Sequence, residues 1–125
     1  MLAYGPLARG LLGGTITEAT RFGPGDWRSH SPAFTGPGFG RNLEIVAALS
    51  RSAADSGATT AQLAVAWVLA YPAVQVAFVG ARTPAHLQES VGALDLALSR
   101  DDLAEIDSIM AAAVPLGGPS PEGMT

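Results

Sequence analysis

The sequence predicts a mostly helical α/β chain whose strands belong to a parallel sheet larger than the chain itself can build. Three observations predict it. Val74–Val79 is a β-rich run with Gln75 its only polar member, and a strand apolar on both faces belongs to a parallel sheet covered by helices. Four helical stretches flank that strand in the sequence. The one other strand signal is the stub Met1–Tyr4, and two strands alone bury too little to make a stable sheet, so neighbouring strands from outside the chain are expected.

The elements follow in order. The apolar stub Met1–Tyr4 is broken by Gly5-Pro6. Residues 5–40 hold most of the glycine and proline, including Gly23-Pro24-Gly25 and Gly36-Pro37-Gly38. They show helical periodicity only around Ile16–Arg21 and read as a long loop, a feature that is usually functional or disordered. Asn42–Ser56 reads as a helix with Leu43, Val46, Ala47, Ala53 and Ala54 as its apolar stripe and Gly57 just past its end. Thr59-Thr60-Ala61-Gln62 has the spacing of a capping box. The helix it opens has Leu63, Ala66, Trp67 and Ala70 on one face, with Val65, Val68 and Leu69 filling the rest. A helix apolar all round is buried on most sides. After the strand Val74–Val79, Gly80-Ala81-Arg82 makes a tight turn and Thr83 caps a helix with Pro84 at its first position. Ser99 opens the last helix, with Asp101 and Asp102 at the positive end of its dipole and Leu103, Ile106 and Met110 as its apolar face. The Pro/Gly-rich stretch 114–125 is expected to be loose.

Composition narrows the function. The 125 residues allow one domain; 48% are apolar and 14% charged, against a typical charged share of about 25%. Such a chain folds, but it has few charges to cover a small domain's surface, which points to a partner or a larger body. All seven basic residues are arginine, which excludes lysine chemistry. The net charge of −4 without a basic stripe argues against nucleic acid as a partner. With no cysteine, thiol nucleophiles, disulfides and cysteine metal sites are excluded. His30 and His86 are far apart in sequence, and no metal site is expected. Ser29, Ser31 and Ser52 lack the context of an activated nucleophile. Residues 1–6 carry no targeting pattern. The longest apolar run, Leu63–Tyr71, is too short to cross a bilayer, so a soluble, cytoplasmic protein with no membrane partner is expected.

Two segments carry chemistry. In the strand–turn–helix from Val74 to Ala93, the first N–H groups of a capped helix point outward at the positive end of its dipole, which makes an anion site. Gly80 and Arg82 lie in the turn, and a planar guanidinium fork suits phosphate. His86 adds a donor one turn into the helix, and Glu89, one turn further, can accept from an exocyclic amine. The plain alternative is an ordinary helix start with a surface arginine. In the segment from Tyr4 to Gly14 a strand end runs into a glycine-rich loop that lets a ligand approach the backbone, and Tyr4 can stack on a flat ring. The plain alternative is a core tyrosine with a flexible loop. Trp27 and Phe34 either line a substrate cleft or tether the long loop; Trp67 is expected in the core.

Together and in this order, the two segments resemble the aldo-keto reductase family, NADP(H)-dependent (β/α)₈ barrels that reduce carbonyls. Ala3-Tyr4-Gly5-Pro6-Leu7-Ala8-Arg9-Gly10-Leu11-Leu12-Gly13-Gly14-Thr15 resembles the family's A-Y-S-P-L-x-x-G-x-L-x-G-K at the seventh strand. Phe78-Val79-Gly80-Ala81-Arg82-Thr83-Pro84-Ala85-His86-Leu87-Gln88-Glu89-Ser90 resembles I-P-G-x-R-x-P-E-H-L-x-E-N at the eighth. Gly25-Asp26-Trp27-Arg28, Arg41-Asn42-Leu43, Ala61-Gln62-Leu63-Ala64, Ala66-Trp67-Val68-Leu69 and Glu122-Gly123-Met124 also match, so the similarity covers essentially the whole chain.

The resemblance implies a partial (β/α)₈ barrel, strands seven and eight with their helices, as a C-terminal fragment over residues 1–125. It also implies a cofactor half-site for NADP(H). Tyr4 would stack on the nicotinamide. The backbone at Leu7 and Arg9 would hold the pyrophosphate. Arg82 would meet the 2′-phosphate with Thr83 and His86 near it, Gly80 would be among the cofactor-binding residues, and Glu89 would contact the adenine amino group. Gly5 stands where the family has serine, Thr15 where it has lysine, and Ser90 where it has asparagine, which implies weaker cofactor binding. The family's catalytic Asp, Tyr, Lys and His lie before the seventh strand, so no catalytic residue is expected here; Tyr4 and Tyr71 do not replace them. The expected function is the cofactor-binding part of a reductase, inactive alone and taking a carbonyl substrate only with the rest of the barrel. The alternative is a non-catalytic interaction or nucleotide-binding module that self-associates through its open strand edges.

Overall fold

The structure, a computed structural model, describes residues 1–117. The motif residues Glu122-Gly123-Met124 and most of the tail expected to be loose lie outside the described residues. Two strands, β1 (Leu2–Tyr4) and β2 (Val76–Phe78), pair in parallel with Leu2 opposite Val76, Ala3 opposite Ala77 and Tyr4 opposite Phe78. A parallel pair needs a long crossover. Here it runs through the glycine-rich loop, helix α1 (Gly36–Asp55) and helix α2 (Thr60–Leu69). Helix α3 (Pro84–Gly92) follows β2, and α4 (Arg100–Met110) is the last helix among the described residues.

Side chains alternate along a strand. Ala3 and Ala77 therefore share a half-buried face, and Leu2, Tyr4, Val76 and Phe78 share an open one. Leu2 is 60% and Phe78 54% exposed. The apolar character of both faces, which predicted a covered parallel sheet, is thus met on one face only by this chain.

The core has two parts that meet at Leu11 and Leu12. Leu12 packs with Ile45, Leu49, Ala53, Leu63, Ala64 and Ile106, joining the loop to α1, α2 and α4. Leu11 packs with Ala33 and Phe34, and Phe22, Trp27 and Phe39 surround them. Phe34 meets Phe22 and Trp27 edge-on, with ring centroids 5.4 and 5.8 Å apart. Trp27 and Phe34 thus tether the long loop. Trp67 is half-buried against the first cluster, and its indole N–H donates to Asp107 of α4 at 3.1 Å.

The loop 5–40 is more ordered than its composition suggests. It contains two 3₁₀ stretches, Ala8–Gly13 and Trp27–His30, whereas Ile16–Arg21 forms no helix. Helix α1 starts at Gly36, six residues before the expected Asn42. Glycine and proline hid its first turn: Gly36 enters with φ +58, Pro37 needs no hydrogen-bonded N–H there, and a Cβ at Gly38 would overlap the Pro32 carbonyl oxygen.

The buried stripe of α1 is Asn42, Ile45, Leu49 and Ala53. Ala47 and Ala54 are exposed, so the expected stripe is rotated. The cause is Asn42, a polar residue that can be buried because both ends of its amide are hydrogen-bonded. Nδ2 donates to the Ala33 and Val114 carbonyls at 3.1 and 3.3 Å, and Oδ1 accepts the Val114 N–H at 2.9 Å. Val114, expected at the start of a loose tail, is therefore fastened to α1.

The caps read from the sequence are present. Thr59 and Gln62 form the reciprocal box of α2, and Ser99 starts α4, where Asp102, expected only to suit the dipole, also bonds back to form a second box. Gly57 follows α1 in the left-handed region at φ +70. Among the described residues no helix is long and apolar enough to cross a membrane.

Candidate functional site

The residues that could touch a ligand sit on two segments brought together by the parallel pairing. After β1, the chain enters Gly5–Gly14 with five left-handed residues: Gly5, Ala8, Arg9, Gly10 and Gly14. Glycine accepts this conformation freely, which accounts for Gly5. Ala8 (φ 52) and Arg9 (φ 57) do not; each costs about 1–2 kcal/mol relative to ordinary backbone. The loop is held by the burial of Leu11 and Leu12 and by bonds from the N–H groups of Gly10 and Leu12 to the Leu7 carbonyl, both at 3.1 Å.

After β2, residues 79–83 lead into α3 without a regular turn. The Thr83 hydroxyl accepts the His86 N–H at 3.2 Å, capping the helix as the sequence predicts. Gly80 does not have a positive φ, and a Cβ added there would meet nothing within 4 Å. Gln62 positions α3. Its Oε1 accepts the Thr59 N–H at 3.1 Å while its Nε2 donates to the Glu89 carbonyl at 3.0 Å. One side chain thus caps α2 and fastens α3 beside it.

Between the two segments lies a cavity of about 390 Å³, within the usual range for a small-molecule site of roughly 300–1,000 Å³. Six of the eight expected cofactor residues line it: Leu7, Arg9, Gly80, Arg82, His86 and Glu89. The other two do not. Thr83 is engaged in its cap. Tyr4 ends β1 on the open sheet face. Thr15 and Ser90, two positions that depart from the family pattern, also line the cavity. The Ser90 hydroxyl donates back to the His86 carbonyl at 3.0 Å.

Arg28 is a wall residue that the sequence reading did not assign. Its guanidinium forks onto Asp26, with Nη2 2.6 Å from Oδ2 and Nε 3.1 Å from both carboxylate oxygens. Nη1 donates to the Arg9 carbonyl at 3.0 Å, and the guanidinium carbon lies 4.4 Å from the centre of the Phe22 ring. Hydrogen bonds from the side chain and backbone of Arg28 hold the Asp26 carboxyl below its usual value. The signal for this arrangement was the Asp-x-Arg spacing inside Gly25-Asp26-Trp27-Arg28, but the span from Arg28 to Arg9 is tertiary.

Chemically, the cavity gathers three of the seven arginines. Arg28 is paired with Asp26, and Arg9, Arg82 and Glu89 line the same cavity. Such a donor set fits a ligand with several phosphate charges and one amine. Tyr71, the other tyrosine, lines a different cavity with Trp67, Leu103 and Asp107. Loss of water, and then Asp107, push its phenol upward, the wrong direction for ready proton donation.

Comparison with known proteins gives this geometry a family. The model of the aldo/keto reductase family matches residues 1–111. The aldo-keto reductase YhdN of Bacillus subtilis is 36% identical over 110 residues, covering 87% of this chain and 33% of the relative. The Schizosaccharomyces pombe aldo-keto reductase yakc [NADP(+)] is 32% identical over 123 residues, covering 98% of this chain and 36% of the relative. Among solved structures, the glycerol dehydrogenase AKR11B4 of Gluconobacter oxydans superposes with a TM-score of 0.84 at 33% identity, over 96% of this chain and 36% of that one. The chain thus spans about a third of the length of the proteins it matches. It belongs to the aldo/keto reductase family and has the fold of two adjoining strands of the family's (β/α)₈ barrel with their outer helices.

Proposed function

We propose that this chain provides the NADP(H)-binding part of a carbonyl-reducing aldo-keto reductase, in which hydride passes between NADPH and an aldehyde or ketone. The observation that carries this is the single cavity that collects Leu7, Arg9, Gly80, Arg82, His86 and Glu89 from two segments far apart in sequence. Arg82 at the head of α3 takes the 2′-phosphate, with Thr83 holding the helix start in shape. Glu89 accepts from the adenine amine. The backbone at Leu7 and Arg9 faces the pyrophosphate. Tyr4, on the open sheet face, stacks on the nicotinamide. The name of the S. pombe relative, which carries NADP(+), supports the choice of cofactor. A hydride-transfer reaction also needs a proton donor beside the carbonyl. The resemblance puts that machinery on earlier strands, and the lysine it includes is absent from this sequence.

Titration with NADP⁺ and NAD⁺ tests the cofactor site. NADP⁺ should bind more tightly than NAD⁺, and Arg82→Ala should weaken NADP⁺ by about tenfold to a hundredfold, the worth of a charge-assisted bond, while leaving NAD⁺ nearly unchanged. Equal binding of the two nucleotides would count against it. NADPH oxidation by the pure chain with a panel of aldehydes should stay at background; turnover would contradict the assignment of the catalytic residues elsewhere.

The open sheet face favours a second reading, a non-catalytic module that assembles through it. Leu2, Tyr4, Val76 and Phe78 lie exposed on one face, with Leu87, Val91 and Leu94 exposed on and after α3. Apolar residues gathered on one sheet face, as these four strand residues are, suit an interface. Sedimentation of the purified chain distinguishes the two: concentration-dependent association abolished by Phe78→Glu supports the module, and a monodisperse monomer sinks it.

A further inference from the structure

The two left-handed residues Ala8 and Arg9 need an external hold, and one is visible. Arg28 reaches across nineteen positions of chain to the Arg9 carbonyl at 3.0 Å. Its own freedom is removed from three sides. Both Asp26 oxygens take its fork, Asp26 also accepts its backbone N–H at 3.0 Å, and Phe22 lies under its face. Gly10, the next left-handed residue, packs so near that a Cβ there would sit 3.5 Å from Nη1. Arg28 and Arg9 share the cavity wall. Yet the charge of Arg28 is balanced by Asp26 at 2.6 Å, so its contribution there is geometric more than electrostatic.

We infer that Arg28, clamped by Asp26, is the positioning residue for the pyrophosphate-facing loop: it fixes the Arg9 carbonyl and so keeps the backbone from Leu7 to Gly10 in the shape the cofactor meets. This rests on the cofactor reading above. A planar fork is required, because one side chain must hold a carboxylate on two edges and still aim a third donor at a carbonyl. Lysine, a point charge with a flexible stem, cannot do both.

Asp26→Asn separates geometry from charge, since it leaves Arg28 in place, makes the wall more positive and releases the fork. Binding of NADP⁺ and of 2′-AMP, which carries the phosphorylated ribose and adenine but no pyrophosphate, is measured for the parent chain, Asp26→Asn and Arg28→Lys. The expected result is NADP⁺ binding about tenfold weaker in both variants, as for loss of a bond to a charged group, with 2′-AMP unchanged and faster amide exchange across residues 7–10. Unchanged or tighter NADP⁺ binding in Asp26→Asn would overturn the positioning role while leaving the cofactor reading intact. Loss of 2′-AMP in step with NADP⁺ would overturn it too, because the effect would not be local to the loop. Failure of the parent chain to bind either nucleotide would instead remove the cofactor reading, and this inference with it.

Discussion

The two walls of the cavity are built to different standards. The wall from Gly5 to Gly14 is anchored by Leu11 and Leu12 in two separate core clusters and is clamped by Arg28. The wall formed by α3 consists of exposed or half-buried residues throughout, and a Gln62 side-chain bond fastens it to α2. The difference teaches that strained backbone needs a rigid surround, since a left-handed alanine and arginine persist only where neighbours over-determine them. A capped helix start holds its shape by itself and can be carried on a lightly attached element. The Gly5–Gly14 wall is thus preformed, and the α3 wall is the more lightly attached of the two.

Breaking the rigid wall should cost most. Asn42 joins α1 to Ala33 through a buried bond and to Val114 through two part-buried ones. Asn42→Ala leaves those backbone groups unpaired, each worth about 1–3 kcal/mol, and thermal melting should register a loss of at least that size. A shift within error would mean the rigid wall does not depend on it. The α3 wall should respond less in global stability but more in local motion. Gln62→Ala removes half a capping box and the bond to Glu89, for about 1 kcal/mol. Hydrogen exchange should then accelerate across 84–92 and not across 7–14.

Acid should sharpen the same contrast. Asp26 is held below its usual 3.8 by Arg28. A group whose folded value is depressed contributes stability above its unfolded value and loses it as pH falls through the folded one. The clamp should therefore be complete at neutral pH and release only below about 3.8. Asp102, lowered by its bonds to Ser99, acts in the same window on α4. Fluorescence of Trp27, beside the clamp, should change in that acid range in the parent and not in Asp26→Asn. The smallest structural effect belongs to Gly80, where a Cβ meets nothing within 4 Å. Gly80→Ala should move stability by less than about 1 kcal/mol yet weaken NADP⁺ binding, because Gly80 lines the cavity.

Much of this was legible in the sequence, and the reason is locality. Thr59 with Gln62, Thr83 with Pro84, and Ser99 at the start of α4 act within one helical turn, so spacing alone reveals them, whereas the reciprocal bond between Asp102 and Ser99 came only with the structure. The β-rich run Val74–Val79 announced a strand, which its residues Val76–Phe78 form, and its parallel pairing followed from apolar character on both faces. What was hidden is tertiary. The start of α1 lay behind Gly36-Pro37-Gly38, which serves a close approach to Pro32. Its buried face was misplaced because Asn42 looks polar until its partners are known. Of the candidate site, six of the eight residues named from the sequence line one cavity, whereas Arg28 was not legible, since its bond to Arg9 spans the long loop.

The most direct measurement is an NMR titration of the isotopically labelled chain with NADP⁺, following the backbone amides of Gly5–Gly14 and Gly80–Ser90. If the two walls close on one dinucleotide, both sets of resonances shift and fit a single dissociation constant, with the larger displacement in α3. Shifts confined to one wall, or two different constants, would show that the cavity is not one site.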